Sequence, residues 1–192
     1  MTTKQDQLKQ LRDRMEQDMS LPLRNEATQL VFGEGNPDAK IYFLGEAPGQ
    51  SEDKQGRPFV GQAGKLLNTL LERIGMQRAD VYISNIVRFR PPNNRPPIAA
   101  EIAAFLPYVN EEIAIIQPLL IVTLGRFSLA KFLPTDKITQ VHGTLHTVNW
   151  QGRPIHVFPL YHPAAALRSP EMRGTLEEDF KKIPSVLEHL KS

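Results

Sequence analysis

Leu119-Leu120-Ile121-Val122-Thr123-Leu124-Gly125 is the stretch on which the fold turns. A near-continuous apolar run that stops at glycine reads as a strand covered on both faces, and such strands belong to parallel sheets flanked by helices. Just upstream, Ile102, Phe105, Leu106, Val109, Ile113 and Ile116 recur at helical spacing, and Pro118 closes that helix. Downstream comes a short helix around Phe127 to Phe132, then Val141 to Trp150 and Pro154 to Leu160 flanking a Gln151-Gly152 turn, an expected hairpin. Further out, Lys40 to Leu44 and Val81 to Ser84 read as strands. Between them Ala63, Leu66, Leu67, Leu70, Leu71 and Ile74 fill one helix face that ends at Gly75. Leu8, Leu11, Met15 and Met19 mark an N-terminal helix at about 3–19, and from Pro170 a helical tail carries Leu176, Phe180, Ile183 and Leu187, with Pro184 a kink or a restart. The segment from Gly45 to Gly61 reads as a loop. This alternation predicts one α/β domain over 1–192, a three-layer sandwich with a central, mainly parallel sheet and helices on both faces.

Composition narrows the function. The 23 basic and 21 acidic residues leave a formal charge of +2, so any grip on nucleic acid must be a local patch. No run approaches the roughly 18–20 apolar residues of a membrane helix, and the polar start Thr2-Thr3-Lys4-Gln5 does not resemble a secretion signal, so a soluble, cytoplasmic protein is expected. The absence of cysteine excludes disulfides, thiolate zinc sites and thiolate-held iron-sulfur clusters.

In open α/β sheets ligands bind beyond the carboxyl ends of the strands, and the unusual polar residues fall there: Glu46, Asn85, Gly125-Arg126 and His162. Gly45-Glu46-Ala47-Pro48-Gly49-Gln50-Ser51-Glu52-Asp53 sets three carboxylates among glycines that permit close backbone approach to a ligand. Glu46 is also suited to capping, and Asp53 reads better as a capping or solvated residue. Phe59, within Gly56-Arg57-Pro58-Phe59-Val60-Gly61, is placed to stack on a flat base or to anchor the core. Gly61-Gln62-Ala63-Gly64-Lys65 fails as a nucleotide-binding phosphate loop, because Phe59 and Leu66 stand where that motif needs glycine and a hydroxyl residue. Asn85 is either a turn residue or an amide reading one base edge, followed by Arg88, Arg90 and Arg95 as candidate phosphate contacts. His162, before a rigid proline, is the histidine whose context points to an active site; His142, His146, His156 and His189 read as surface or hairpin residues. No His pair has a convincing metal spacing with a carboxylate.

Together, Gly45-Glu46-Ala47-Pro48-Gly49, Gly56-Arg57-Pro58-Phe59-Val60-Gly61, Asn85 with Arg90-Pro91-Pro92-Asn93-Asn94-Arg95, and Tyr161-His162-Pro163-Ala164 closely resemble the family-four uracil-DNA glycosylases. The likeness runs in order from about Leu21 to the C-terminal helix. It implies the uracil-DNA glycosylase fold and an enzyme of base-excision repair that flips uracil out of DNA and hydrolyses its N-glycosidic bond. By resemblance Phe59 stacks on the uracil, Asn85 reads its edge, Gly45 and Ala47 line the base pocket, and His162 flanks it with Glu46. His162 then donates to the departing base, while Glu46 or Glu52 orients water or stabilises the cationic sugar. Leu167 or Arg168 supplies the wedge, and Arg57, Arg90 and Arg95 join Arg168 on the DNA. Family-four enzymes hold a four-iron, four-sulfur cluster on four cysteines; the matched positions here are Asp18, Leu21, Phe89 and Phe105. The expectation is therefore no cofactor and no metal, with Leu21, Phe89 and Phe105 forming an apolar plug. Uracil-containing DNA is the expected partner of a monomer. A glycosylase-fold DNA-binding module without excision, and an enzyme acting on free nucleosides, are the rival readings.

Overall fold

Strand β2 (Ile41–Gly45) lies at the centre of a six-stranded sheet in the computed structural model, which describes residues 2–191. Its neighbours are β3 (Tyr82–Asn85) on one side and β4 (Leu120–Leu124) on the other, both parallel to it; β6 (Arg153–Leu160) continues the parallel set beside β4. Two antiparallel edges complete the sheet: β1 (Glu34–Gly35) against β3, and β5 (His146–Trp150) against β6. The β5–β6 hairpin turns at Gln151 and Gly152, which both take positive φ, as a tight two-residue hairpin turn demands.

Alternation along β2 assigns its faces. Tyr42 and Leu44 join a core with α1 (Lys4–Gln17) and α4 (Ala99–Ile116). Ile41 and Phe43 join the other, with α3 (Gln62–Arg73), α8 (Pro170–Phe180) and α9 (Ile183–Lys191). Helices thus cover both faces, as the periodicity predicts. Helix α1 opens on a Thr3–Asp6 capping box and stops at Gln17, so Met19 falls off its buried stripe and is exposed. Pro184 restarts the tail as α9 rather than kinking one helix. Within the segment read as a loop, Gln50–Gln55 is a short helix, α2; further short helices are α5 (Arg126–Ala130), α6 (Ile138–Val141) and α7 (Pro163–Ala166).

From β2 the chain reaches β3 on one side and then β4 on the other, so strand order reverses at β2 and a crevice opens beyond the strand ends. Behind that crevice, Leu21, Phe89 and Phe105 are all buried in one core, with the two rings 6.2 Å apart and tilted by 57°. The Arg24 guanidinium lies 5.2 Å over the Phe89 ring and donates to the carbonyls of Met15, Glu16 and Asp18 at the end of α1. Asp18 is outside the plug: its carboxylate accepts from the Tyr108 hydroxyl at 2.6 Å and from Ser20. A carboxylate, an aliphatic chain and two phenyl rings offer no thiolate, so these residues do not fit an iron-sulfur cluster.

Candidate active site

A cleft of about 490 Å³ opens at the carboxyl ends of the parallel strands. Its inner wall is Glu46, Ala47, Phe59, Asn85 and His162, brought together from the exits of β2, β3 and β6 and the loop before α3. Pro91, Asn94, Arg95, Arg126 and Arg168 stand around it.

Gly45 fixes how tightly the inner wall closes. A Cβ there would lie 2.4 Å from Asn85 Oδ1 and 2.6 Å from the Phe59 ring, so only glycine lets the β2 exit pass between them. Asn85 is 2% exposed, and its Oδ1 has no hydrogen-bond partner among the described residues although the residue borders the cleft. A buried acceptor left in this state calls for a donor from a ligand or a water. The Phe59 and His162 rings stack at 5.6 Å and 28°.

His162 N-caps α7, its Nδ1 accepting from the Ala164 amide at 3.0 Å. A ring nitrogen that accepts carries a lone pair, so the proton of the neutral imidazole sits on Nε2, which is the available donor. Burial disfavours the cation and brings the His162 pKa down to about 4 against the opposing pull of the Glu52 carboxylate. At neutral pH the ring is an uncharged Nε2–H donor.

The carboxylates divide by what they hold. Glu52 accepts from three backbone amides, those of Gly49 (3.1 Å), Val60 (2.9 Å) and Gly61 (2.7 Å), so it braces the loop before α3 while also bordering the cleft. Asp53 is buried within α2 and accepts from the Thr28 amide and hydroxyl, so it braces a distant segment and is neither the solvated nor the capping residue the sequence suggests. Glu46 faces the cleft half-buried; burial raises its pKa, and Arg126 opposes that shift. Arg126, which the sequence places at a strand end directly after the β4 glycine without assigning it a role, is thus part of the cleft.

The arginines scatter. Arg88 is not available to phosphate: it is fully buried and paired bidentately with Glu112 of α4 at 3.0 and 2.7 Å, with Phe32 against its face. Arg57 is bound to Glu34 at 2.8 and 3.0 Å and is not part of the cleft lining. Arg90 donates to Asn94, Arg95 is clamped on Glu101 at the cleft's edge, and Arg168 borders the cleft beside Leu167, which is 44% exposed. His142 is no simple surface residue, since its Nδ1 lies 2.6 Å from the buried Asp179 carboxylate and its ring packs on Tyr161 at 4.7 Å. Among the described residues no group of His, Asp and Glu is arranged to hold a metal ion.

Residues 32–189 match the model of the uracil DNA glycosylase superfamily. The chain is 51% identical over 162 residues to a type-4 uracil-DNA glycosylase of Sulfurisphaera tokodaii, covering 81% of this chain and 74% of that protein. It is 42% identical over 191 residues to the type-4 uracil-DNA glycosylase of Thermotoga maritima, covering 97% and 98% of the two chains. It is also 33% identical over 157 residues to 17% of a DNA polymerase of Bacillus phage SP01.

Proposed function

Because the chain belongs to the uracil DNA glycosylase superfamily, we propose that its cleft excises uracil from DNA by hydrolysis of the N-glycosidic bond. The carrying observation is the buried, unpartnered Oδ1 of Asn85 beside a neutral His162 whose free nitrogen is a donor. Uracil presents a matching edge: N3–H for Oδ1, O4 for the Asn85 amide nitrogen, and O2 for His162 Nε2–H.

A base inside a duplex cannot reach a cleft walled this way, so the nucleotide leaves the stack at a cost of about a few kcal/mol. Stacking on Phe59 and reading by Asn85 offset that cost, and the exposed Leu167, with Arg168, fills the gap left behind. The C1′–N1 bond then breaks with its electron pair going to the base. Negative charge builds on O2, where the His162 hydrogen bond strengthens, and the sugar becomes cationic. Water adds to C1′, and the proton it gives up ends on the departed uracil anion, leaving neutral uracil and the abasic sugar. Glu46 serves this half of the reaction, as a carboxylate near the sugar and the water, because the Glu52 oxygens are already committed to three amides. Arg126 and Arg95 stand at the edge to meet the phosphates.

The direct test is abasic-site formation on a uracil-containing oligonucleotide resolved on a gel. Strand scission after alkali, dependent on uracil, is the expected result. Tight binding without scission would instead make the chain a recognition module. Asn85→Asp refines the test, since a carboxylate cannot donate to O4 yet accepts from the cytosine amine. The preference for uracil over cytosine is expected to fall by about 10- to 100-fold in single-turnover cleavage of matched oligonucleotides. Parental discrimination by this variant would return Asn85 to a turn residue.

A further inference from the structure

Phe59 holds its ring in the cleft from a backbone conformation that a bulky residue rarely adopts, with φ of 52°. Such a conformation persists only where its surroundings over-determine it. Three features do so. Gly64 admits the turn, because a Cβ there would sit 1.9 Å from the Phe59 carbonyl oxygen. Glu52 takes the two amides that follow, those of Val60 and Gly61. Arg78 takes the two carbonyls: its guanidinium donates to Phe59 O at 2.9 Å and also to Pro58 O.

Arg78 does not border the cleft. It comes from the short 3-10 turn Arg78–Asp80 before β3, and its own position is fixed by the Glu34 carboxylate at 2.7 and 2.8 Å and by the Asn68 side chain at 3.3 Å. Glu34 belongs to the two-residue edge strand β1, whose pairing with Ile83 ties this carboxylate to the sheet. A planar fork is needed here, since one group must reach two consecutive carbonyls and a carboxylate together; an ammonium is a point donor and cannot span them.

We infer that Arg78, held by Glu34, is a positioning residue for the base-stacking face: it pins the Pro58–Phe59 carbonyls and so keeps the Phe59 ring set against the base. This rests on the reading of the cleft as a uracil site. It assigns a function to the edge strand and to an arginine that never meets the substrate.

The test compares the parent chain with Arg78→Lys, Arg78→Gln and Glu34→Gln, using free uracil as the probe. Free uracil is expected to inhibit excision about tenfold more weakly in the Arg78 variants, the scale of one lost base-aromatic stack. Single-turnover rates should fall in step, Glu34→Gln should show the same change in smaller measure, and affinity for an undamaged duplex should stay parental. A purely structural role would lower the melting temperature and leave uracil inhibition of the folded molecules untouched, which would overturn the inference. So would failure of all three variants to fold, since Arg78 would then be general scaffolding. Fluorine NMR of a fluorophenylalanine label at Phe59 gives a reading independent of catalysis: a shifted or broadened Phe59 resonance in Arg78→Lys is expected, and an unchanged one overturns the clamp. A parent chain that forms no abasic sites would sink the functional reading alone, leaving the fluorine result to judge Arg78.

Discussion

Replacing His162 by alanine is expected to slow single-turnover excision by about 10²- to 10³-fold, the usual loss for one donor aimed at developing negative charge, with DNA affinity close to parental. The separation follows from timing. A neutral Nε2–H gains little from the carbonyl of an intact nucleotide and much from the oxygen of a departing anion. Oligonucleotide cleavage under enzyme excess, with binding followed separately on the same duplex, measures both; parental cleavage with normal binding would remove His162 from the chemistry. The same ring gives a pH signature. Its folded pKa is depressed to about 4, from an ordinary value of about 6.5. The stability it contributes is therefore present in full above about pH 6.5 and is lost as the pH falls through about 4. Protonation must also fall on Nδ1, which breaks the cap on the Ala164 amide. The His162-dependent part of the excision rate is thus expected to hold through pH 6 and to fail only in the acid range near the folded pKa.

Glu112→Ala should be the most destabilising single change on the β2–α4 side of the sheet. The substitution strands a fully buried guanidinium and removes the acceptor of the Tyr42 and Tyr82 hydroxyls, whose rings stack at 5.7 Å. Removing one partner of a buried pair costs about 3–5 kcal/mol. Against a typical stability of about 5–15 kcal/mol that is a large fraction. For a chain of this size the melting temperature should drop by roughly 6–20 °C. The double variant Arg88→Met with Glu112→Leu should recover part of the loss, because no charge is left behind, but not all of it, because two tyrosine hydroxyls stay without their acceptor. Thermal melts of the three proteins decide the matter; a single variant within about 2 °C of the parent would show that Arg88 escapes to water.

The parallel strands and long helices were legible because each is written by its own local period. The hairpin was legible from the Gln151-Gly152 pair. Helix α2 was hidden: Gln50–Gln55 carries no apolar stripe and is held by a Glu52 bond to the Gly49 amide and by Asp53 on Thr28, 25 residues away. The residues of the cleft could be read because strand ends collect them in this architecture, but their states could not. That His162 is neutral with its proton on Nε2 depends on an amide two residues on; that Glu52 is a brace depends on where Val60 and Gly61 fold back. Arg88 shows the limit most plainly. Beside Arg90 it looks like a phosphate contact, and its burial depends on Glu112, 24 residues away. One sign was present: Glu112 interrupts the apolar stripe of Phe105, Val109 and Ile116, a charge facing the core that needed a partner of opposite sign.

The Phe89–Phe105 plug also has a thermal consequence. Metal-thiolate bonds hold two parts of a chain with a strength that changes little over ordinary temperatures. Two packed phenyl rings hold them through water's exclusion, and that driving force carries a large heat capacity: it weakens on cooling and is overtaken by chain entropy on heating. The joint between helix α4 and the segment that follows Asn85 therefore has a temperature optimum of its own. Below that optimum, hydrogen-exchange protection at Ile86 to Phe89, taken relative to the intrinsic rate at each temperature, should fall toward the cold, ahead of the central strands.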